Sequence, residues 1–148
     1  LEDGSLTEDA KLAGEMYAKR VKKLDLIEKN MPEPEIYGVA GGADISFVGW
    51  GSSRNTMLDI IEIFAARGVK INYLHYSYLF PLKTEVAKKF FKENKNVNLI
   101  EGNYLGQLGN MVEAALGVKF KARLLKYNGR PFFVEDVEEF INQNLIKK

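Results

Sequence analysis

The sequence predicts an α/β domain with a largely parallel β-sheet that is covered by helices on both faces. Short apolar runs typical of buried strands alternate with segments in which apolar residues recur every three or four positions, as in amphipathic helices. Strands that are separated by helices imply right-handed crossovers and parallel pairing. A length of 148 residues with 46% apolar residues is enough for one compact core.

A long, charged helix is expected first, over residues 7–30. Its apolar residues recur at steps of three to five, at Leu12, Met16, Val21, Leu24 and Ile27. Thr7 is a suitable N-cap, and the prolines at 32 and 34 prevent the helix from continuing. We therefore expect residues 1–35 to form a connector and helix, and residues 36–148 to form a separate domain. We interpret the start at Leu1, in place of a methionine, as the start of a fragment of a longer chain.

The first half of the second domain alternates strand and helix twice. Residues 44–50 and 69–76 are runs rich in β-branched and aromatic residues, which predict buried strands. Helices are predicted after them, over 55–67 and 83–94. Apolar residues at helical spacing mark the inner faces of these helices, at Met57, Ile60, Ile61 and Phe64, and at Val86, Phe90 and Phe91.

The second half repeats this alternation. Strands are predicted at 97–101 and 120–127, with helices near 105–116 and over 134–145. Residues 36–40 suggest an additional edge strand, whose direction the sequence does not fix. No internal repeat interrupts the pattern.

Composition excludes several kinds of function. The 21 basic and 20 acidic residues are mixed along the chain, which argues against a nucleic-acid-binding or membrane-surface protein. The absence of cysteine excludes disulfides, thiolate-bound clusters, cysteine zinc sites and cysteine nucleophiles, so any iron–sulfur centre must lie on another chain. No apolar run is long enough to span a bilayer, and the acidic start does not resemble a signal peptide, so we expect a cytoplasmic location.

A glycine-containing turn follows the first buried strand, at Gly49, Trp50, Gly51, Ser52 and Ser53. Dinucleotide-binding folds place a phosphate loop at this position, but Arg54 occupies the third glycine of that fingerprint, and no Gly-Lys-Ser or Gly-Lys-Thr is present. The alternative of a free-standing nucleotide- or anion-binding module that uses residues 49–55 stays open. We favour a tight turn with serine or asparagine capping.

Further polar and aromatic candidates follow the later strands. His75 is the only histidine, and the sequence offers no partner set for catalysis, so we expect a packing or hydrogen-bonding role. Tyr76, Tyr78 and Phe80 suggest an exposed aromatic loop suited to an interface. Glu101, Asn103 and Gln107 follow the third buried strand, and Arg130 precedes the last helix. None of these residues forms a catalytic or metal-binding set.

Four loop motifs in this order resemble the C-terminal region of the alpha subunit of 2-oxoacid:ferredoxin oxidoreductases. They are Val-Gly-Trp-Gly-Ser at 48–52, Leu-His-Tyr-Ser-Tyr-Leu-Phe-Pro-Leu at 74–82, Glu-Gly-Asn-Tyr-Leu-Gly-Gln-Leu at 101–108 and Leu-Lys-Tyr-Asn-Gly-Arg-Pro-Phe at 125–132. Residues 2–9 and 19–24 resemble the family's connector into this domain. The likeness is greatest to the 2-oxoglutarate-type, or archaeal broad-specificity, branch.

The resemblance implies a three-layer α/β/α sandwich around a five-stranded, mostly parallel sheet, like the C-terminal domain of transketolase. It implies that the intact enzyme oxidatively decarboxylates a 2-oxoacid, 2-oxoglutarate in the 2-oxoglutarate branch, forms an acyl-coenzyme A and passes electrons to ferredoxin. Thiamine diphosphate, Mg and an iron–sulfur cluster would belong to that intact enzyme and none of them to this domain. Its partners would be the N-terminal domain of the same alpha chain and a beta subunit. The cluster of Glu101, Asn103 and Gln107 would then lie at a domain or subunit interface, in a domain without catalytic residues.

Overall fold

The computed structural model describes residues 2–145, so Leu1 and residues 146–148 lie outside the described part. The chain divides into two compact units, the first ending at Pro32 and the second beginning at Glu33. The first unit consists of a short N-terminal segment and one long helix. The second contains the sheet and the remaining helices.

The long helix α1 spans Ala10–Asn30 and contains no buried residue. Its N-cap is Asp9, whose carboxylate accepts a hydrogen bond from the backbone N–H of Leu12 at 2.8 Å. The predicted N-cap at Thr7 is therefore wrong by two residues. The Thr7 hydroxyl instead accepts a bond from the Asp9 backbone N–H at 3.1 Å, which shapes the turn before the helix.

Five strands form one sheet in the order β1-β3-β2-β4-β5. Their bounds are Glu35–Gly38 for β1, Ile45–Trp50 for β2, Ile71–Tyr76 for β3, Val97–Glu101 for β4 and Arg123–Leu125 for β5. The edge strand β1 runs antiparallel to β3, and all other neighbours are parallel. The predicted five-stranded, mostly parallel sheet is confirmed.

The last strand is shorter than the predicted run of 120–127. The Phe120 N–H donates to the carboxylate of Glu113 at 3.1 Å and is unavailable to the sheet. Backbone hydrogen bonds to β4 nevertheless extend from the N–H of Lys121 to the N–H of Lys126. The regular strand is thus the centre of a longer paired segment.

Two helices cover each face of the sheet. Their bounds are Ser53–Ala66 for α2, Glu85–Glu93 for α3, Gln107–Leu116 for α4 and Val134–Asn144 for α5. One core lies between the sheet and α2 and α5, and includes Phe47, Phe64, Tyr73 and Ile141. The other lies between the sheet and α3 and α4, and includes Val48, Leu74, Phe90 and Leu108. The result is the expected three-layer α/β/α sandwich.

Gly49 allows the central strand β2 to pass close to β4. A Cβ atom at Gly49 would lie 2.7 Å from the backbone oxygen of Ile100 and 2.9 Å from the hydroxyl of Tyr73. Backbone cannot move away from such a clash as a flexible side chain can. Gly49 is therefore required for packing within the sheet.

We expect Gly49→Ala to lower the free energy of unfolding by about 1–3 kcal/mol, because the added methyl group overpacks the sheet. Urea denaturation would measure this change. Gly102→Ala is the matched control, since a Cβ atom at Gly102 would meet no atom within 4 Å. Equal effects of both substitutions would contradict the close approach described for Gly49.

Glu113 joins helix α4 to the chain that enters β5. Its carboxylate accepts bonds from the Lys119 Nζ and Arg123 Nη2 atoms, both at 2.9 Å, and from the backbone N–H of Phe120. Burial raises the pKa of Glu113, but the bonds from Lys119, Phe120 and Arg123 outweigh burial and lower the pKa to about 2. The folded state therefore favours the ionised carboxylate.

This pKa shift predicts a pH dependence of stability. A pKa that is lower in the folded than in the unfolded chain gives stability that is complete above the unfolded value of 4.5. That stability is lost as the pH falls from 4.5 through about 2. At pH 7, Glu113→Gln should cost about 1–3 kcal/mol of unfolding free energy, and the difference from the parent chain should shrink toward pH 2.

Denaturant unfolding at a series of pH values would measure the free energy of unfolding of the parent chain and of Glu113→Gln as a function of pH. Glu62→Gln, at an exposed position of α2, is the control for loss of one negative charge. A constant difference between the parent chain and Glu113→Gln across this range would show that the Glu113 carboxylate does not carry the effect.

Candidate functional site

The candidate site lies at the carboxyl edge of the sheet, where strands β2 to β5 end. The chain leaves β2 through α2 toward β3 on one side, whereas β4 lies on the other side of β2. The loops after β2 and β4 therefore diverge, and in open α/β sheets such a switch point is the usual place for a binding crevice. Trp50 and Glu101 end these two strands.

Glu101 is a buried carboxylate with four hydrogen-bond donors, and only 1% of it is exposed. It accepts bonds from the backbone N–H groups of Leu108 and Gly109, in the first turn of α4, at 2.9 and 3.2 Å. The Asn103 Nδ2 and Trp50 Nε1 atoms donate to it at 2.6 and 3.2 Å. An anion at a helix N-terminus is favourable because it satisfies free N–H groups. The carboxylate thus accepts four hydrogen bonds, all of them from groups within the domain.

Asn103 caps the same helix from the preceding loop. Its Oδ1 atom accepts bonds from the backbone N–H groups of Gly106 at 2.7 Å and Gln107 at 3.3 Å. Gly106 adopts a left-handed backbone with φ of +62°, which places these N–H groups toward Asn103. Gln107 is the first residue of α4 and is exposed. The structure brings Glu101 and Asn103 together around the start of α4, with Gln107 taking part through its backbone.

The glycine turn after β2 is tight, but a serine does not cap the following helix. Ser52 is the N-cap of α2 and makes no side-chain bond to it. The reason is its helical backbone, with φ of −68° and ψ of −11°, because a capping side chain needs an extended N-cap residue. The predicted capping is wrong at Ser52. Gly51, with φ of +62°, provides the reversal of the chain.

Ser53 belongs to a chain of buried hydrogen bonds that ends at His75. The Ser53 hydroxyl donates to the Trp50 carbonyl at 2.7 Å and therefore accepts the bond from the Tyr73 hydroxyl at 2.9 Å. Tyr73 in turn accepts from the Nδ1 atom of His75 at 3.0 Å. This order of donors places the proton of a neutral imidazole on Nδ1.

The charges around His75 are consistent with the neutral form. Burial lowers the pKa of His75, and the nearby guanidinium of Arg54 lowers it further, although Glu35 opposes them. Arg54 donates from Nε to the Tyr37 hydroxyl at 2.7 Å, and Tyr37 donates to Glu35. The network fixes the edge strand β1 to β3 and α2, so His75 has a hydrogen-bonding role in the fold.

A cleft of about 610 Å³ opens beside this network at the ends of β2, β4 and β5. Aromatic and polar side chains line it, including Trp50, Ser52, Asn103, Tyr104, Tyr127 and Arg130. The rings of Tyr104 and Tyr127 pack edge to face with their centroids 4.8 Å apart. Lys126, also in the lining, binds Asp136 at 2.5 Å.

Large apolar side chains are exposed along the same edge. We call them the carboxyl-edge surface and define it as Trp50, Tyr78, Phe80, Tyr104, Leu105, Tyr127 and Phe133. Within the described residues of the second unit, only Ile36 and Met111 are comparable exposed side chains elsewhere. Tyr76 is not exposed as predicted, because it ends β3 pointing into the core and its hydroxyl donates to the Lys83 carbonyl at 3.0 Å.

Sequence reasoning missed Tyr104, Leu105, Tyr127 and Phe133 as members of this surface. The signal was available, since Tyr104, Leu105 and Phe133 follow predicted strands just as Tyr78 and Phe80 do, and Tyr127 ends one. In the part of the chain that the structure describes, no group of three or more acidic or histidine side chains could hold a metal ion. No described helix combines the length and apolarity needed to cross a bilayer.

Comparison with known proteins gives consistent relatives. No protein-family model matches the sequence. The chain is 34% identical over 145 residues to the 2-oxoacid:ferredoxin oxidoreductase 1 subunit alpha of Aeropyrum pernix, and 30% identical over 142 residues to the corresponding subunit of Saccharolobus solfataricus. These alignments cover 93% and 95% of this chain. The chain spans 22% of the length of each of these relatives.

Solved structures agree with these sequence relatives. The alpha chain of a probable 2-oxoacid ferredoxin oxidoreductase from Thermoplasma acidophilum is 31% identical, with a TM-score of 0.54, over 76% of this chain and 97% of that chain. The 2-oxoglutarate:ferredoxin oxidoreductase of Magnetococcus marinus matches 97% of this chain and 25% of its own, with a TM-score of 0.79 and 23% identity. A split-gene transketolase matches 75% of this chain and 41% of its own, with a TM-score of 0.58 and 17% identity. The last two show the fold alone.

The sheet order and layers thus define a domain of the transketolase C-terminal class. Within this class, the 31% identity over nearly the whole Thermoplasma chain is decisive. The chain belongs to the alpha-subunit family of the 2-oxoacid:ferredoxin oxidoreductases.

The bonds of Glu101 predict the effect of removing its carboxylate. Glu101→Ala should lower the free energy of unfolding by roughly 2–4 kcal/mol, because it leaves buried donors without an acceptor. Glu101→Gln should cost less because one acceptor oxygen remains. Trp50 is the only tryptophan, so its fluorescence reports directly on the indole that donates to Glu101.

Urea unfolding followed by Trp50 fluorescence would measure both the stability and the local environment. Gln107→Ala is the control at the start of the same helix, and we expect a change within about 0.5 kcal/mol there. A native-state Trp50 emission spectrum that is identical in Glu101→Ala and the parent chain would argue against the Glu101–Trp50 bond.

Proposed function

We propose that this chain is a C-terminal domain of the alpha subunit of a 2-oxoacid:ferredoxin oxidoreductase and that its own role is assembly. The intact enzyme would oxidatively decarboxylate a 2-oxoacid to an acyl-coenzyme A and transfer the electrons to ferredoxin in the cytoplasm. Thiamine diphosphate, Mg and the iron–sulfur cluster would be held outside this domain. Its direct partners would be the preceding domain of the same chain and a beta subunit.

The exposed carboxyl-edge surface is the observation that carries this proposal. Seven large apolar side chains lie along one edge of the sheet, and six of them are aromatic. Phe80 alone is 68% exposed. Concentrations of exposed apolar surface of this kind mark protein interfaces, and aromatic side chains often dominate the binding energy there.

The polar residues at the same edge support an assembly role because they form hydrogen bonds within the domain. Glu101 and Asn103 bind the start of α4, and Ser53 and His75 bind Tyr73. A catalytic acid, base or nucleophile needs a donor or acceptor position that is free to meet a substrate. Glu101, Asn103 and Ser53 use these positions within the domain. Together with His75 they hold the loops in the shape that displays the aromatic side chains.

The relatives suggest the substrate of the intact enzyme. Those from Aeropyrum pernix and Saccharolobus solfataricus are described as acting on 2-oxoacids, and a 28% identical subunit from Mycobacterium tuberculosis belongs to a 2-oxoglutarate oxidoreductase. The Magnetococcus enzyme holds 2-oxoglutarate, coenzyme A and succinyl-CoA. We therefore propose 2-oxoglutarate as the 2-oxoacid and coenzyme A as the acyl acceptor.

One observation favours the alternative of a nucleotide- or anion-binding module. The first turn of α2 has neither a side-chain cap nor an acidic residue. Apart from the Arg54 N–H, which donates to the Gly51 carbonyl at 3.4 Å, its N–H groups could therefore meet an anion. Titration of this chain with coenzyme A, ADP and inorganic phosphate in a calorimeter would test it. Binding at micromolar concentrations would support the module, whereas an assembly domain should show none.

Assembly can be tested directly in the full-length alpha subunit that carries this sequence. Tyr78→Asp combined with Phe80→Asp should weaken association with the other parts of the enzyme at least about thirtyfold, as expected for loss of aromatic hot spots worth about 2 kcal/mol or more. Native mass spectrometry across a concentration series would measure this change. Met111→Asp is the control, because Met111 is exposed on α4 and outside the carboxyl-edge surface.

Circular dichroism should show the same fold for both variants, since the substituted side chains are exposed. Unchanged association of the Tyr78 and Phe80 double variant would remove the support for assembly through this surface.

A further inference from the structure

Arg130 presents a positive charge that has no acidic partner among the described residues. It lies in the loop between β5 and α5, it is exposed, and it lines the cleft. Its backbone N–H donates to Asn128 Oδ1 at 3.1 Å, which fixes the turn. Within residues 2–145, no carboxylate lies at ion-pair distance from its guanidinium group, whereas Lys126 and Arg123 both have acidic partners.

The surroundings of Arg130 favour the binding of a negatively charged group. Among the described residues that line the cleft, none is an aspartate or glutamate, and two are basic. Asp136 offsets the charge of Lys126, so Arg130 provides the remaining positive charge. An arginine can bind a carboxylate through two parallel hydrogen bonds, which fixes orientation as well as distance.

The apolar part of the cleft is preformed. Glu101 holds the Trp50 indole, and the Tyr104 and Tyr127 rings pack against each other. Aromatic side chains fixed in this way lose little conformational entropy when a partner binds. The cleft thus offers a rigid aromatic wall next to a guanidinium group that no carboxylate within residues 2–145 neutralises.

We propose that this cleft receives an aspartate or glutamate side chain, together with a neighbouring apolar side chain, from a polypeptide segment of the intact enzyme that lies outside this chain. The inference rests on the proposed assembly function and specifies the chemistry of the partner. The carboxylate binds Arg130, and the apolar side chain packs on Trp50, Tyr104 and Tyr127.

Two observations favour a polypeptide over a small anionic ligand. Trp50, Tyr104 and Tyr127 line the cleft and also belong to the carboxyl-edge surface, so the cleft is continuous with the larger apolar face. In addition, the chain spans only 22% of the length of each of these relatives. In the relatives, a domain of this kind is therefore joined to much more polypeptide, which can supply such a segment. A small ligand would leave Tyr78 and Phe80 uncovered.

Site-specific crosslinking in the intact enzyme would identify the occupant. Replacing Tyr104 with the photoreactive amino acid benzoylphenylalanine in the full-length alpha subunit, followed by irradiation and mass spectrometry, should yield a crosslink to a segment outside this chain. That segment should contain an aspartate or glutamate within about one helical turn of the crosslinked residue. A crosslink confined to this chain, or to a segment without an acidic residue, would overturn the proposal.

Charge exchange then tests the ion pair itself. Arg130→Glu should weaken assembly at least tenfold, and replacement of the mapped acidic residue by arginine should restore most of the loss. Lys92→Glu, at an exposed position of α3, is the control for the same change in net charge. Arg130→Gln is a milder variant, and circular dichroism verifies that both Arg130 variants keep the native fold. No loss with Arg130→Glu, or no rescue, would contradict the inference.

Comparison of the two sets of variants also distinguishes failure of this inference from failure of the assembly function on which it rests. If the Tyr78 and Phe80 double variant weakens assembly and the Arg130 variants do not, only the acidic partner is wrong. If neither weakens assembly, the assembly function fails as well. Protection of position 104 from crosslinking by ADP or inorganic phosphate, with an affinity that Arg130→Gln reduces, would assign the cleft to a small anion and overturn the polypeptide partner.

Discussion

The architecture of the candidate site depends on one buried carboxylate. Glu101 ends β4 and accepts hydrogen bonds from the first turn of α4, from Asn103 and from the indole of Trp50 at the end of β2. It therefore joins two diverging loops at the switch point of the sheet. An isolated buried charge would be costly, and four donors make this one favourable. Because its bonding capacity is used internally, Glu101 stabilises a surface instead of reacting at it.

The hydrogen bonds at this edge also explain why aromatic side chains can remain exposed there. Ser53, Tyr73 and His75 link the turn after β2 to the end of β3, and Arg54 and Tyr37 connect that turn to the edge strand. Loops that these hydrogen bonds hold in place cannot fold over to bury their own aromatic side chains. The outward positions of Trp50 and Tyr104 are therefore a consequence of the polar network beneath them.

Much of the fold could be predicted because local patterns determine it. The predicted bounds of β4 are those of the structure, since Val97–Glu101 is a short apolar run between turn residues. Prediction failed where the local pattern was ambiguous. Every residue of β3 is buried, so Tyr76 could not be recognised as a core residue by alternation. Ser52 has a typical capping side chain, but its backbone is helical and the capping bond does not form.

The cleft was not predictable from local sequence. Trp50 ends β2, and Tyr104, Tyr127 and Arg130 lie in the loops after β4 and β5. Only the spatial order β2-β4-β5 makes them neighbours. The direction of β1 was equally open, and the structure shows it antiparallel to β3 with Glu35 opposite His75. Strand order and direction are properties of the whole sheet, which a single segment does not encode.

The reversed direction of β1 has a consequence for connectivity. Because Glu35 pairs with His75 near the end of β3, the polypeptide enters the sheet at the same edge where the parallel strands end. Residues that precede Glu33 are thus covalently tethered to the edge that carries the exposed aromatic side chains. A binding partner joined at this edge through a short linker would have an effective concentration on the order of millimolar. The point at which the chain enters the second unit and the surface proposed for assembly therefore share one edge of the sheet.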